Sequence, residues 1–351
     1  MEHGSSLSNA GLPGVVARYL YQQDPGFQVV RLIRDKFPRV VLHVRVKGRD
    51  CLVKALKDNA PWTRPGRYFR FQKEIFIYTR LNRLKFKDFR YPALIHARDK
   101  LFIVTDFISN NPSLCRDHVF FSQAMKAVLE MNTCSFPFND NGGIGWFWEK
   151  SNRWKFSRTT KTLRNLCEGC FVKRKISGSM FVRLLAFWRE SLARTAVLST
   201  PLLVHRDIFS ANILRPDRET IVFADFEKMG VEKRWVFGDA LKIAQAEPLF
   251  FPEDERRFAG FPRFHAGLLE TFWKDMVSIR PAVGQNHDDF KCQLKFCLLG
   301  WILKKLVKEK QAPKQDKNLT GFIEKVILGP DHIFDCWLEQ CRQIKAPGAT
   351  A

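Results

Sequence analysis

LLVHRDIFSANILRPDRETIVFADFEK, residues 202–228, is the stretch whose reading decides the fold. Leu202-Leu203-Val204 is a short apolar strand that leads into His205, Arg206 and Asp207. Asn212 follows five residues after Asp207, and Ile213-Leu214 resumes the apolar pattern. Pro216-Asp217 marks a turn. Ile221-Val222-Phe223-Ala224 has the composition of a buried strand, and it ends in acid at Asp225-Phe226-Glu227. Two strands therefore each hand a carboxylate to a loop, with an amide between them.

Residues of these types in this order suit phosphoryl transfer. One carboxylate orients an attacking hydroxyl and accepts its proton, while an amide and a second carboxylate hold Mg²⁺ against the phosphates. Asp207 is then the base, and Asn212 and Asp225 are the metal ligands. A lone H-x-D is a weak signal. H-R-D-x4-N followed by a strand ending in D-F-E is a specific one. The competing reading is a capped loop in which Asp207 and Asn212 satisfy only backbone groups.

Upstream, Val40, Leu42, Val44 and Val46 alternate with other residues, Lys47-Gly48-Arg49-Asp50 reads as a turn, and residues 51–57 return as a strand. Lys54 falls on the same face as Leu52 and Leu56. Taken alone, it fits either a snorkelling lysine at a sheet edge or an ammonium with a task. A helix expected over roughly 67–84 places Glu74 on the face of Phe71, Ile77, Tyr78 and Leu81. A carboxylate on an apolar face needs a partner. Lys54 is the natural one, and a local pair with Arg70 or Lys73 is the alternative.

At positions 54, 74, 205–212 and 225–227 the chain resembles the kinase-like superfamily. Within it the chain looks most like the aminoglycoside-phosphotransferase and choline-kinase branch, which also holds lipopolysaccharide core sugar kinases. Asp225-Phe226-Glu227 departs from the D-F-G of protein kinases, whereas His205-Arg206-Asp207 is the more protein-kinase-like form. The resemblance implies an α+β, bilobal protein-kinase-like fold. A small antiparallel β-sheet N-lobe would span 14–109 and a larger, mainly helical C-lobe 110–344, with 1–13 and 345–351 disordered. It implies ATP and Mg²⁺ as cofactors, with Lys54 gripping the nucleotide phosphates and Glu74 holding Lys54. It also implies that the carbonyl of Asp106 and the amide of Ile108, at the end of a strand over 101–108, bond adenine. Asp239, in Phe237-Gly238-Asp239, would brace the catalytic loop, or else serve only as a helix N-cap. The family's glycine-rich phosphate loop is missing, because no glycine lies between Gly26 and Gly48. Backbone amides at 35–38, with Arg34 or Lys36, are left to approach the phosphates.

Charge narrows the acceptor. The 351 residues carry 58 Lys and Arg against 36 Asp and Glu, a net charge of +22. Such a field attracts phosphorylated, nucleic-acid or membrane-surface partners and disfavours a cationic acceptor. Two runs concentrate it. Residues 150–175 hold nine Lys or Arg and one acid, Glu168, next to Trp146, Phe147, Trp148, Trp154 and Phe156. Residues 304–317 add six lysines. A basic stretch with interleaved aromatics suits phosphate-bearing ligands, single-stranded nucleic acid or a lipid interface, and equally a solvated helix face with aromatics packed inward.

The nine cysteines are an odd number scattered among apolar residues, which suits a reducing compartment. Cys167 and Cys170 form one C-x2-C with no second pair, so two half-buried thiols are the better reading than zinc. The N-terminus lacks a signal pattern, and no apolar run approaches about twenty residues. The expected location is the cytosol or the cytosolic face of a membrane. The expected function is ATP- and Mg²⁺-dependent phosphorylation of a hydroxyl on a sugar or glycan, with an anionic acceptor such as a lipopolysaccharide core sugar. An aminoglycoside- or choline-type kinase, a silent kinase-fold scaffold and a nucleic-acid-binding protein are the alternatives.

Overall fold

The computed structural model describes residues 13–36, 39–57, 65–98, 101–111, 113–114, 118–136, 158–209, 212–245, 262–308 and 313–344. The chain forms two compact units. The first comprises the chain up to Phe86, Arg90–Asn110 and Val222–Lys228. The second comprises Lys87–Phe89, Asn111–Ile221 and the chain from Met229.

The first unit is helix α1 (Gly14–Gln23), strands β1 (Gln28–Lys36), β2 (Arg39–Val46) and β3 (Arg49–Leu56), helix α2 (Pro65–Leu81), and strands β4 (Leu94–Arg98) and β5 (Phe102–Asp106). The strands form one antiparallel sheet in the order β1-β2-β3-β5-β4. Lys47 and Gly48 join β2 to β3 with φ of 51° and 74°. A type I′ hairpin turn needs positive φ at both central positions, which explains the glycine there. Val16 and Leu20 of α1 bury against Val40, Leu42, Val44, Val53 and Val104 of the sheet.

A short return from far along the chain completes this unit. Strand β8 (Val222–Phe223) bridges Arg90, whose carbonyl accepts the Phe223 N–H at 2.9 Å. The turn that follows (Phe226–Lys228) packs on α2, with Phe226 edge-on to Tyr78 at 5.1 Å between ring centroids.

The second unit is mainly helical: α3 (His118–Thr133), α4 (Arg158–Val172), α5 (Gly178–Arg194), α6 (Phe237–Ala244), α7 (Ala266–Ile279), α8 (His287–Lys308), α9 (Pro313–Phe322) and α10 (Asp331–Arg342). Short strands β6 (Leu202–Val204), β7 (Ile213–Leu214) and β9 (Gly230–Glu232) lie among them, and β6 pairs antiparallel with β9. Helix α3 packs on α6 and α7, and α8 packs on α4, α5 and α6. Trp235 stacks on Phe296 at 3.5 Å, and Phe237 is ringed by Phe272, Trp273 and Phe290, so aromatics fill this core.

The antiparallel sheet and the helical remainder are the elements expected from the sequence. Strands β1, β4 and β9 are additions to the expected set, and helix α4 answers to the helix-face alternative for the basic stretch. The β1–β2 register shifts between Val29 and Arg31 and again between Leu32 and Arg34. Such bulges break the alternation by which a strand is recognised. Helix α4 buries Leu163, Leu166, Cys167 and Cys170. The thiols are thus more deeply buried than half, and burial pushes both their pKa values up to about 12. The aromatic cluster from Trp146 to Phe156, residues 1–12 and the tail 345–351 lie outside the described residues. No helix among the described residues is long and apolar enough to cross a membrane.

Candidate active site

In the first unit, Lys54 sits in β3 opposite Val41 of β2 and Ile103 of β5. Neighbouring strands enclose it on both sides, and it is only 7% exposed. Its ammonium donates to Glu74 Oε2 at 2.6 Å and to Asp225 Oδ1 at 2.8 Å. Glu74 is 1% exposed because it shares the buried face of α2 with Phe71, Ile77, Tyr78 and Leu81. Asp225 reaches Lys54 from the returning segment, with φ at +60°. A left-handed aspartate is sparsely populated, and such backbone persists where surrounding structure holds it.

Arg39 and Glu227 extend the cluster. Arg39, the first residue of β2, forms a buried ion pair with Glu227, two residues beyond Asp225. Two cations (Arg39, Lys54) thus face three carboxylates (Glu74, Asp225, Glu227). Burial works against the Lys54 ammonium, but Glu74 and Asp225 outweigh it and raise its pKa. Glu74 bears the excess of negative charge. Burial, with Asp225 and Glu227 adding to it and Lys54 opposing, pushes its pKa up to about 7.

That shift has a sign that can be measured. The folded pKa lies above the ordinary carboxyl value, so the folded state keeps a proton that the unfolded chain gives up near pH 4.5. This contribution to stability is complete below that pH and is lost as pH rises to about 7. Glu74→Gln carries no such proton. Its stability relative to wild type should therefore improve by up to about 3 kcal/mol between pH 4.5 and 8, followed by denaturant titration across that range. A difference that is flat with pH would place the excess charge elsewhere.

Asp106 and Ile108 stand where β5 ends. The Asp106 N–H donates to the Ala93 carbonyl at 3.1 Å, and its carboxylate pairs with Arg49. Phe107 stacks on His43 at 3.8 Å, which fixes the backbone between them. Asp35 is tied to Lys57 at 2.5 Å, and residues 37–38 lie outside the described residues.

In the second unit, β6 delivers the loop that carries Asp207. Asp239 lies in the first turn of α6, but it does not cap that helix, whose N-cap is Val236. Its buried carboxylate instead accepts the backbone N–H of His205 at 2.6 Å and of Arg206 at 2.9 Å. One turn on, Lys242 donates to the Arg206 carbonyl at 2.8 Å. Helix α6 thus grips both ends of Arg206, whose φ is +67°. Asn212 closes the loop, its amide nitrogen donating to the Asp207 carbonyl at 2.9 Å and reaching Oδ2 at 3.4 Å. The Asn212 amide oxygen takes no part in those bonds.

Gly230 of β9 is part of this support. A Cβ there would stand 2.5 Å from Arg206 Nη1 and 2.7 Å from Cζ. The Arg206 guanidinium also donates to the Val231 carbonyl. Gly230→Ala should cost about 1–3 kcal/mol through overpacking. Combining it with Arg206→Ala should cost less than the sum of the two single changes. Additive losses in denaturant melts would show that the clash is relieved elsewhere.

No protein-family profile matches the chain, and no curated protein matches it in sequence. Solved structures do match. The chain is similar to the aminoglycoside phosphotransferase APH(2")-IIa in its streptomycin–ATP ternary complex, at 14% identity over 91% of this chain and 99% of that one, with a TM-score of 0.53. It is similar also to ADP-bound aminoglycoside phosphotransferase APH(2'')-Ib, at 13% identity over 90% and 97%, with a TM-score of 0.51. Identities this low speak to fold alone. The chain shares the fold of these two aminoglycoside phosphotransferases.

Arg39, Glu227, Lys242 and Gly230 were not singled out in the sequence. Glu227 offered a signal, since a carboxylate replaces the glycine of D-F-G directly after the buried Phe226. Arg39 and Lys242 carry no comparable signal in the sequence.

Proposed function

We propose that the protein transfers phosphate from ATP to a hydroxyl of a sugar or glycan, with an anionic acceptor such as a lipopolysaccharide core sugar. The observation that carries this reading is the Lys54 ammonium held between Glu74 and Asp225 at 2.6 and 2.8 Å. A buried lysine fixed in this way presents a cation to phosphate oxygens. Among the described residues no cluster of three or more His, Cys, Asp or Glu side chains is set to hold a metal. Mg²⁺ suits the donor pair Asp225 and Asn212, because it commonly takes one or two carboxylates and completes its shell with substrate phosphates and water. The cluster around Asp225 also carries more carboxylates than cations. Asp225 and the Asn212 amide oxygen would hold the ion, which neutralises charge developing on the phosphates.

The chain's own residues do the rest. Asp207 orients the acceptor hydroxyl and takes its proton at a carboxylate oxygen. Asp239, Lys242 and Asn212 hold the Asp207 loop so that this oxygen keeps its place. Lys54 grips the nucleotide phosphates and Glu74 orients it. The Asp106 carbonyl and Ile108 amide receive adenine. Phe209, two residues beyond Asp207, leaves its ring 39% exposed and offers a face on which a sugar can stack. The net charge of +22 favours an acceptor that carries phosphate or carboxylate.

ADP release measured with MgATP over a panel of acceptors tests the proposal. Turnover should be found with phosphorylated or carboxylated core oligosaccharides and be weak with streptomycin or choline. Preference for a polycationic aminoglycoside would overturn the anionic acceptor. Failure to bind nucleotide at all would leave a scaffold.

A further inference from the structure

Helix α4 ends at Val172 and α5 begins at Gly178, and the turn between them meets the end of α8. Lys173 Nζ donates to the Val307 carbonyl at 2.6 Å, and Cys170 Sγ reaches the Leu303 carbonyl at 3.7 Å. The fold therefore brings the end of one basic run, residues 173–175, to one pole of the second unit together with residues 303–307 of α8, far away in sequence.

The same pole leaves large apolar side chains in water. Val172 is 78% exposed, Val182 65% and Phe171 44%, the last stacked on Phe181 at 4.9 Å. Exposed Lys173 and Arg174 follow Val172 directly, and exposed Lys304 follows Leu303, whose carbonyl Cys170 reaches. Asp316 pairs with Lys175 and Glu324 with Arg183. Arg174 has φ of +53°, so the turn that carries these side chains has a set shape.

We propose that this pole docks on an anionic lipid bilayer. Cations meet headgroup phosphates while neighbouring apolar side chains enter the acyl boundary, and the two attractions reinforce one another. Exposed valines decide against nucleic acid, because an aliphatic side chain provides neither a stacking face nor a hydrogen bond for a base. The inference goes beyond phosphotransfer and stands or falls without it, since docking needs neither nucleotide nor acceptor.

The test is flotation of the full chain, without nucleotide, on vesicles of phosphatidylcholine alone and of phosphatidylcholine with phosphatidylglycerol. Wild type should float only with the anionic vesicles and be released by salt. Arg174→Asn with Lys304→Gln should weaken binding roughly fivefold per cation, about 30-fold together. Asparagine tolerates the left-handed backbone at 174. Val172→Ser with Val182→Ser, which keeps the charge, should weaken it several-fold. Arg83→Gln with Lys85→Gln, exposed cations of the first unit, should change nothing. Three results overturn the proposal. They are no flotation of wild type with anionic vesicles, wild-type binding by the valine pair, and a loss in the Arg83 and Lys85 pair as large as that in the Arg174 and Lys304 pair. If the valine pair binds like wild type and a single-stranded oligonucleotide displaces the vesicles, the pole is a general polyanion site.

Discussion

Asp207→Asn is expected to lower phosphoryl transfer by roughly 10²–10⁴-fold, the usual contribution of a positioned general base, and to leave nucleotide binding unchanged. The asparagine is isosteric, and the loop is held through backbone groups. Asp239 takes the N–H groups of His205 and Arg206, Lys242 takes the Arg206 carbonyl, and Asn212 takes the Asp207 carbonyl. Only the longer Asn212 contact at 3.4 Å touches the carboxylate, and an asparagine oxygen can still accept it, so the change chiefly removes a proton acceptor. Single-turnover rates with the best acceptor, beside calorimetric titration of nucleotide, separate the two effects. A variant with the wild-type rate would remove Asp207 from the chemistry. A variant that fails to bind nucleotide would mean that the loop had moved.

Lys54→Met should be the most destabilising single change in the first unit, at about 3–5 kcal/mol, the cost of breaking a buried ion pair on one side. Methionine fills the space of the lysine stem, so packing is not the cause. The cause is that Glu74 and Asp225 lose their shared cation while Glu227 remains nearby on Arg39. Adding Glu74→Gln should restore a large part of the loss, because it removes the stranded carboxylate rather than replacing the contact. Nucleotide use should stay impaired in the double variant, since no ammonium remains for the phosphates. Equilibrium unfolding of the four proteins in the cycle gives the coupling directly. A loss under about 1 kcal/mol for Lys54→Met would mean that water screens the cluster as it screens surface pairs.

The sequence was most legible where charge contradicts its surroundings. Lys54 and Glu74 each sit among apolar residues of their own element, and that mismatch is visible without a structure. The order H-R-D-x4-N and then D-F-E made the Asp207 loop and the Asp225 segment visible in the same way. Strand β1 stayed hidden because its bulges cancel the period of two and because it lies at the sheet edge, where no apolar face is required. Helix α4 was legible only as one of several readings, because two of its four inward positions are cysteines among threonine, glycine and arginine. Arg39 was illegible for another reason. Its burial depends on Glu227, which lies 188 residues away in the chain.

That separation bears on how the protein is made. The first unit needs Val222–Lys228, yet its other residues end at Asn110. On the ribosome the sheet and α2 emerge long before Phe226 can cover Tyr78 or Glu227 can meet Arg39. At roughly 5–20 residues per second, the intervening synthesis takes about 6–24 s. Through that interval the nascent sheet has Arg39 without its counterion and an apolar face of α2 open to water. The early intermediate therefore exposes the kind of apolar surface that chaperones bind.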